Sequence, residues 1–221
     1  MPTELRRFVW PIVVVLAGAL LMLVSNQGVV KTPDGLTVIK NTEQYRLALE
    51  KARSLSESEF KAAENDDELT QAQLSNLRQA AALFDAMSAF APEKLGPYAA
   101  AGKAYQILDD HDQAIQRLRQ CLANRKIDNS EEARLTSVEA HYLLSISYLA
   151  KGNYTDALTE ATLAVKEIPN APNYHWGRAS CLVQLKRTPE AIKELDAAIA
   201  LDPNHKRSLA LLKMIEPKPK G

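Results

Sequence analysis

Four histidines and two cysteines are the side chains of this sequence best suited to metal ligation or nucleophilic chemistry: His111, His141, His175 and His205, with Cys121 and Cys181. Structural metal sites draw their ligands in closely spaced pairs, and no pair of these residues has that spacing. No glycine-rich phosphate loop and no nucleophile elbow occurs. Asn153-Tyr154-Thr155 forms a glycosylation sequon, but it matters only in a eukaryotic secretory pathway, and its central tyrosine is needed for packing, so the match reads as chance. The expectation is a non-enzyme with no cofactor and no metal, whose chemistry is recognition.

The composition narrows the class of partner. Lysine plus arginine and aspartate plus glutamate each number 27, so the formal net charge is zero and a nucleic-acid ligand, which needs a basic surface, is disfavoured. Apolar residues at 46% with charged residues at 24% exclude disorder over most of the chain. The zero is itself a sum of unlike parts. Residues 50–70 hold seven acids (Glu50, Glu57, Glu59, Glu64, Asp66, Asp67, Glu68) against Lys51, Arg53 and Lys61, which reads as a solvated helical face. His205–Gly221 carries Lys206, Arg207, Lys213, Lys218 and Lys220 against Glu216, a solvated, frayed end.

The N-terminus belongs to a different environment. Phe8 to Val30 holds no charge, and Phe8–Val24 is almost pure hydrocarbon, enough at about 1.5 Å per residue to span roughly 25 Å of bilayer. Trp10 sits at the interface end and Pro11 in the first turns, where a missing N–H costs little. Residues 1–30 are therefore expected to be a signal anchor, with membrane contact through residues 8–24. Arg6 and Arg7 keep the N-terminus cytoplasmic and place the rest outside the cytoplasm, in a periplasm-like space. The alternatives are secretion after cleavage of a signal peptide, against which the absence of a small-x-small site counts, and a tail facing the cytoplasm. Residues 31–41 form a linker in which two β-branched runs flank Pro33-Asp34-Gly35, the signature of a small hairpin that must lean on a larger body.

From Asn41 onward the periodicity is helical. Asn41 with Gln44 starts one helix with Tyr45, Leu49 and Ala52 on a face; Leu77, Ala80, Ala81, Phe84 and Met87 stripe a second, which Pro92 ends. Residues 42–92 thus make a helical hairpin. Beyond it the chain repeats itself. Val138–Ala171 and Pro172–His205 match at an offset of 34 residues, aligning His141 with His175, Ala157 with Ala191, Ala164 with Ala198 and Pro169 with Pro203. An earlier unit from Leu95 supplies Gly102, Tyr105, Ala114 and Leu118, with Cys121 in place of the second alanine and extra residues around Ile127–Ser137, where Asn129 with Glu132 can cap an extended helix. Thr188-Pro189 is expected to start a helix with a hydroxyl cap.

This period, with its small residues and closing prolines, resembles the tetratricopeptide repeat. The resemblance implies an all-α solenoid over 95–215, of about three repeats preceded by the degenerate pair 42–92 and closed by a capping helix at Lys206–Ile215, with 216–221 as a flexible tail. His141 and His175 stand where the family often has tryptophan, so packing is expected of them, and solenoid geometry should keep Cys121 and Cys181 apart as two buried thiols. The resemblance further implies a groove lined by the first helix of each unit. Carried onto this chain, its candidates are Ala99, Lys103 and Gln106, then Glu139, Tyr142, Ile146 and Leu149, then Asn173, Trp176, Ser180 and Val183. Asn173 and Gly177 stand where the carboxylate-gripping members of the family need cations, which disfavours binding of a chaperone tail. The function implied is a membrane-anchored scaffold or adaptor that holds a protein or peptide partner in envelope assembly or secretion. The alternative is a structural protein that self-associates as a homo-oligomer.

Overall fold

Asn41 begins the first long helix because its extended backbone lets its side chain accept the Gln44 N–H at 2.8 Å. Gln44 answers by accepting the Lys40 N–H, also at 2.8 Å. The computed structural model describes residues 30–31, 37–128 and 130–215. Among these residues, a two-stranded ribbon precedes nine α-helices. In the ribbon, β1 (Val30–Lys31) pairs antiparallel with β2 (Thr37–Val38), with Val30 opposite Val38. The helices are α1 (Thr42–Glu64), α2 (Gln71–Phe90), α3 (Leu95–Ile107), α4 (His111–Asn124), α5 (Glu131–Ala150), α6 (Tyr154–Glu167), α7 (Pro172–Gln184), α8 (Thr188–Leu201) and α9 (Lys206–Ile215).

The membrane segment expected over residues 8–24, the turn at Pro33-Asp34-Gly35, Asn129 and the tail 216–221 lie outside the described residues. Within the described residues no helix is long and apolar enough to cross a membrane.

Each helix packs on the next, and the first helices of successive pairs also touch, α1 on α3, α3 on α5 and α5 on α7. The result is a helical solenoid in which the apolar interior is strung along the chain as separate clusters. That is how a repeat chain stabilises itself, unit against unit. Small residues set the spacing. Gly102, Ser145 and Ala179 are buried at equivalent places on the first helices, and Ala114, Ala157 and Ala191 on the second helices. Gly102 is the extreme case, since a Cβ there would lie 2.5 Å from Leu118 Cγ.

The turns inside the pairs repeat as well. Asp66, Asp109, Gly152 and Lys186 all have left-handed backbone, with φ of 62°, 63°, 78° and 59°. The residue after each donates its N–H back to a carbonyl in the last turn of the preceding helix: Asp67 to Ala62, Asp110 to Tyr105, Asn153 to Tyr148 and Arg187 to Leu182, at 2.9–3.0 Å. Because α1 and α2 close with the same turn, the degenerate pair is built as a repeat unit.

Two local expectations are corrected. The extra residues before the second full unit extend α5 back to Glu131, and its cap is Ser130, whose hydroxyl accepts the Ala133 N–H at 3.1 Å. At α8 the cap position is Arg187, not Thr188, and no side chain caps the helix. The first-turn partnership there is Arg187 Nε to Glu190 Oε1 at 2.7 Å, so an ion pair replaces the hydroxyl cap.

Candidate functional site

The first helices turn one face each toward a concave cavity of about 750 Å³. From α3 come Lys103, Gln106 and Ile107; from α5, Glu139, Tyr142, Leu143 and Ile146; from α7, Asn173, Tyr174 and Trp176. Seven sequence candidates are therefore brought together: Lys103, Gln106, Glu139, Tyr142, Ile146, Asn173 and Trp176. Four are not. Ala99 is 5% exposed and sits in the core with Leu95 and Tyr98. Leu149 packs against that same core. Val183 packs against the core of the last unit, the same cluster that Leu211, Leu212 and Ile215 of α9 cover, and Ser180 donates to the Trp176 carbonyl at 2.9 Å.

The opposite wall escaped the reading of the sequence. It is the end of α1 and the turn after it: Phe60, Ala63 and Glu64, then Asp66, Asp67, Glu68 and Leu69. The acidic stretch is thus the rim of a cavity as well as a solvated face. Arg207, on the first turn of α9, completes the wall. Its Nε lies 2.9 Å from both carboxylate oxygens of Asp66, and its Nη2 donates to the Ala63 carbonyl at 2.9 Å. The guanidinium also stands 5.2 Å from the Trp176 ring, on its face. The hydrogen bonds from Arg207 hold the Asp66 carboxyl below its ordinary range, while burial pushes the Tyr142 phenol up.

Within the cavity the polar groups hold each other in place. Lys103 Nζ donates to Glu64 at 2.7 Å, lies 3.7 Å from Glu139, and stands 5.0 Å from the Phe60 ring. Gln106 Nε2 reaches across to the Leu143 carbonyl at 3.1 Å and the Ser147 hydroxyl at 3.3 Å. The Tyr142 and Tyr174 rings sit 5.0 Å apart. Gly177 explains itself here, because a Cβ at that position would lie 3.0 Å from Tyr142 Cε2. A cation at 177 would displace the ring.

Three of the four histidines tie helices together. His141 Nδ1 lies 2.5 Å from Glu160 Oε2, and His175 Nδ1 lies 2.8 Å from Glu194 Oε2, each joining the two helices of its own unit. His175 Nε2 also meets the Pro169 carbonyl at 2.8 Å. His205 links α9 to α7 through Asn173 Oδ1 at 2.8 Å, and burial lowers its pKa. Cys121 and Cys181 are free and buried, and burial raises both thiols to about 12, so neither offers a thiolate at neutral pH. Among the described residues no group of three or more His, Cys, Asp or Glu could hold a metal ion.

A family model described as the tetratricopeptide repeat matches residues 99–172 and 142–206. The chain is 32% identical to U-box domain-containing protein 70 of Oryza sativa subsp. japonica, over 51% of this chain and 17% of that protein. It is 26% identical to Hsp70-Hsp90 organizing protein 2 of Arabidopsis thaliana, over 47% of this chain and 21% of that one. It therefore spans only a minor part of either relative's length. Among solved structures, the MamA RS-1 ArsTM double mutant superposes with a TM-score of 0.54 at 15% identity, covering 75% of this chain and 83% of that chain. MamA AMB-1 superposes with a TM-score of 0.50 at 18% identity, covering 72% and 98%. At such identities the likeness shows the fold alone.

Proposed function

The chain carries tetratricopeptide repeats over residues 99–206, and from that premise we propose that it is a non-enzymatic interaction scaffold whose concave cavity holds a segment of a partner protein. The observation that carries this reading is the cavity itself. Three first helices and the α1–α2 turn converge on one space of about 750 Å³, floored by aromatic and aliphatic side chains. Ligand pockets have this size and character, around 300–1,000 Å³ and largely apolar with a few placed polar groups. Tyr142 and Trp176 are the anchors, since large aromatic side chains dominate the energetics of interfaces. Both relatives carry the matched region as a small part of a longer chain, which suits a module that binds while other parts act.

The uncharged run over residues 8–24 supports a membrane anchor for this scaffold, and Arg6 with Arg7 supports presentation of the repeats outside the cytoplasm, in an envelope assembly or secretion complex. The reading is tested by replacing Tyr142 and Trp176 with alanine, confirming helicity, and comparing what copurifies from membranes. Loss of a partner from both variants is expected; an unchanged set of partners removes the cavity from the function. A second reading, self-association, is favoured by Leu201, Leu209 and Met214, which stand 44%, 43% and 70% exposed at the C-terminal end of the solenoid. Sedimentation of the full chain in detergent separates the two, because a monomer at all concentrations excludes self-association.

A further inference from the structure

We infer that the cavity is shaped for a basic segment: a lysine or arginine of the partner at the Asp67–Glu68 rim, beside a large apolar side chain on the Tyr142–Ile146 floor. This rests on the reading of the cavity as the binding surface and goes further by naming the chemistry of its occupant. Five carboxylates line the space, Glu64, Asp66, Asp67, Glu68 and Glu139, against two cations, Lys103 and Arg207. Both cations are already committed. Lys103 pairs with Glu64 and Glu139, and Arg207 pairs with Asp66. Asp67 and Glu68 hold no ion pair among the described residues, and both are exposed while lining the cavity.

The cavity also displays the kind of group it accepts. Arg207 fills one end with a guanidinium held by a carboxylate, a backbone carbonyl and the face of Trp176. That combination of charge-assisted hydrogen bonds with an aromatic face is selective for a planar cation. Further in, Ile107, Leu143 and Ile146 give the apolar surface on which a neighbouring side chain is buried. An acidic segment finds the reverse: excess negative charge, no uncommitted cation lining the cavity among the described residues, and at Gly177 no room for one beside Tyr142. Complementarity of this kind governs selectivity and the rate of encounter more than raw affinity.

The test is fluorescence anisotropy on the full chain in detergent, with short labelled peptides of equal length and equal apolar content. They differ only in carrying arginine, glutamine or glutamate at the same places. The arginine peptide is expected to bind about tenfold tighter than the glutamine peptide at low salt, with the gap closing as salt screens the exposed carboxylates. The Asp67→Lys, Glu68→Lys double variant alters exposed turn positions outside the apolar clusters. It is expected to bring the arginine peptide to the affinity of the glutamine peptide or below. Equal affinities, a preference for glutamate, or no binding by any peptide would each overturn the basic-segment assignment. So would an arginine peptide indifferent to the double variant, since it would then bind elsewhere. Failure of the cavity as a binding surface is read separately, from the Tyr142→Ala and Trp176→Ala comparison on membranes.

Discussion

Gly102→Ala tests the claim that small residues set the helix spacing, and it does so through a reversal of sign. An alanine Cβ at this position would stand 2.5 Å from Leu118 Cγ, 2.6 Å from Cδ2 and 3.3 Å from Cδ1. Leu118 is 0% exposed, so its branch point has nowhere to go without moving α3 away from α4. Overpacking of this kind costs about 1–3 kcal/mol. Alanine is a better helix former than glycine by about 0.5–1 kcal/mol, which offsets part of it. The net expectation is a loss of about 1 kcal/mol. The companion variant Leu118→Ala removes the colliding atoms and leaves a cavity, at about 2–5 kcal/mol. In that background Gly102→Ala meets no obstacle and keeps only its propensity gain of about 0.5–1 kcal/mol. The same substitution thus destabilises beside the native leucine and stabilises once Leu118 is shortened, a coupling of about 2 kcal/mol. Urea unfolding followed by far-ultraviolet circular dichroism measures it, comparing midpoints at unchanged slope. The third unit shows that the effect is local, because Ala179 and Leu195 are both fully buried at the equivalent places where the helices are spaced for an alanine. If Gly102→Ala is as stable as the parent, or shifts stability in the same direction in both backgrounds, the spacing argument fails.

Arg207→Ala is expected to cost about 1 kcal/mol at neutral pH, the Asp66 partner being 58% exposed and the ion pair correspondingly weak, with the Trp176 contact adding to it. Because Arg207 depresses the Asp66 pKa, the ion pair's share is full above the ordinary value of 3.8 and is lost as pH falls through the lowered folded value, so thermal melts of parent and variant should draw together in acid by that share. Lys186→Gly is expected to raise stability by up to about 1 kcal/mol, since Lys186 holds φ at 59° in a turn where the second unit already uses Gly152; a lower midpoint in thermal unfolding would show that the lysine side chain matters more than its backbone.

The repeat was legible because its signal is local and periodic. Ala157 with Ala191 and Ala164 with Ala198 recur at a fixed offset, and all four are 0% exposed, so sequence period and packing report the same constraint. The turns were less legible, because only Gly152 advertises the left-handed residue that Asp66, Asp109 and Lys186 also supply. The start of α5 was hidden for a similar reason: several polar residues before Val138 can cap a helix, and the choice of Ser130 depends on the backbone that precedes it. Inner-face positions were placed well on the middle first helix and poorly at the end. Val183 joins the core of the last unit, which the cap helix also covers, and no pattern within the unit announces that helix.

The wall formed by Asp66 and Arg207 shows a limit of a different kind. The acidic stretch and the basic end were both visible as charge, yet their partners lie 141 residues apart, and nothing local says that they meet. Their meeting depends on curvature, a small rotation at each unit that accumulates along the solenoid. Helix α9 consequently has two jobs. Through Leu211, Leu212 and Ile215 it covers the apolar end of the last unit, and through Arg207 it closes the cavity against the first. Deleting the helix would confound the two, exposing a core and opening the cavity together. Substituting Arg207 alone separates them: the apolar seal stays, Asp66 and the Trp176 face are released, and any change in what the cavity holds is then due to the closing contact.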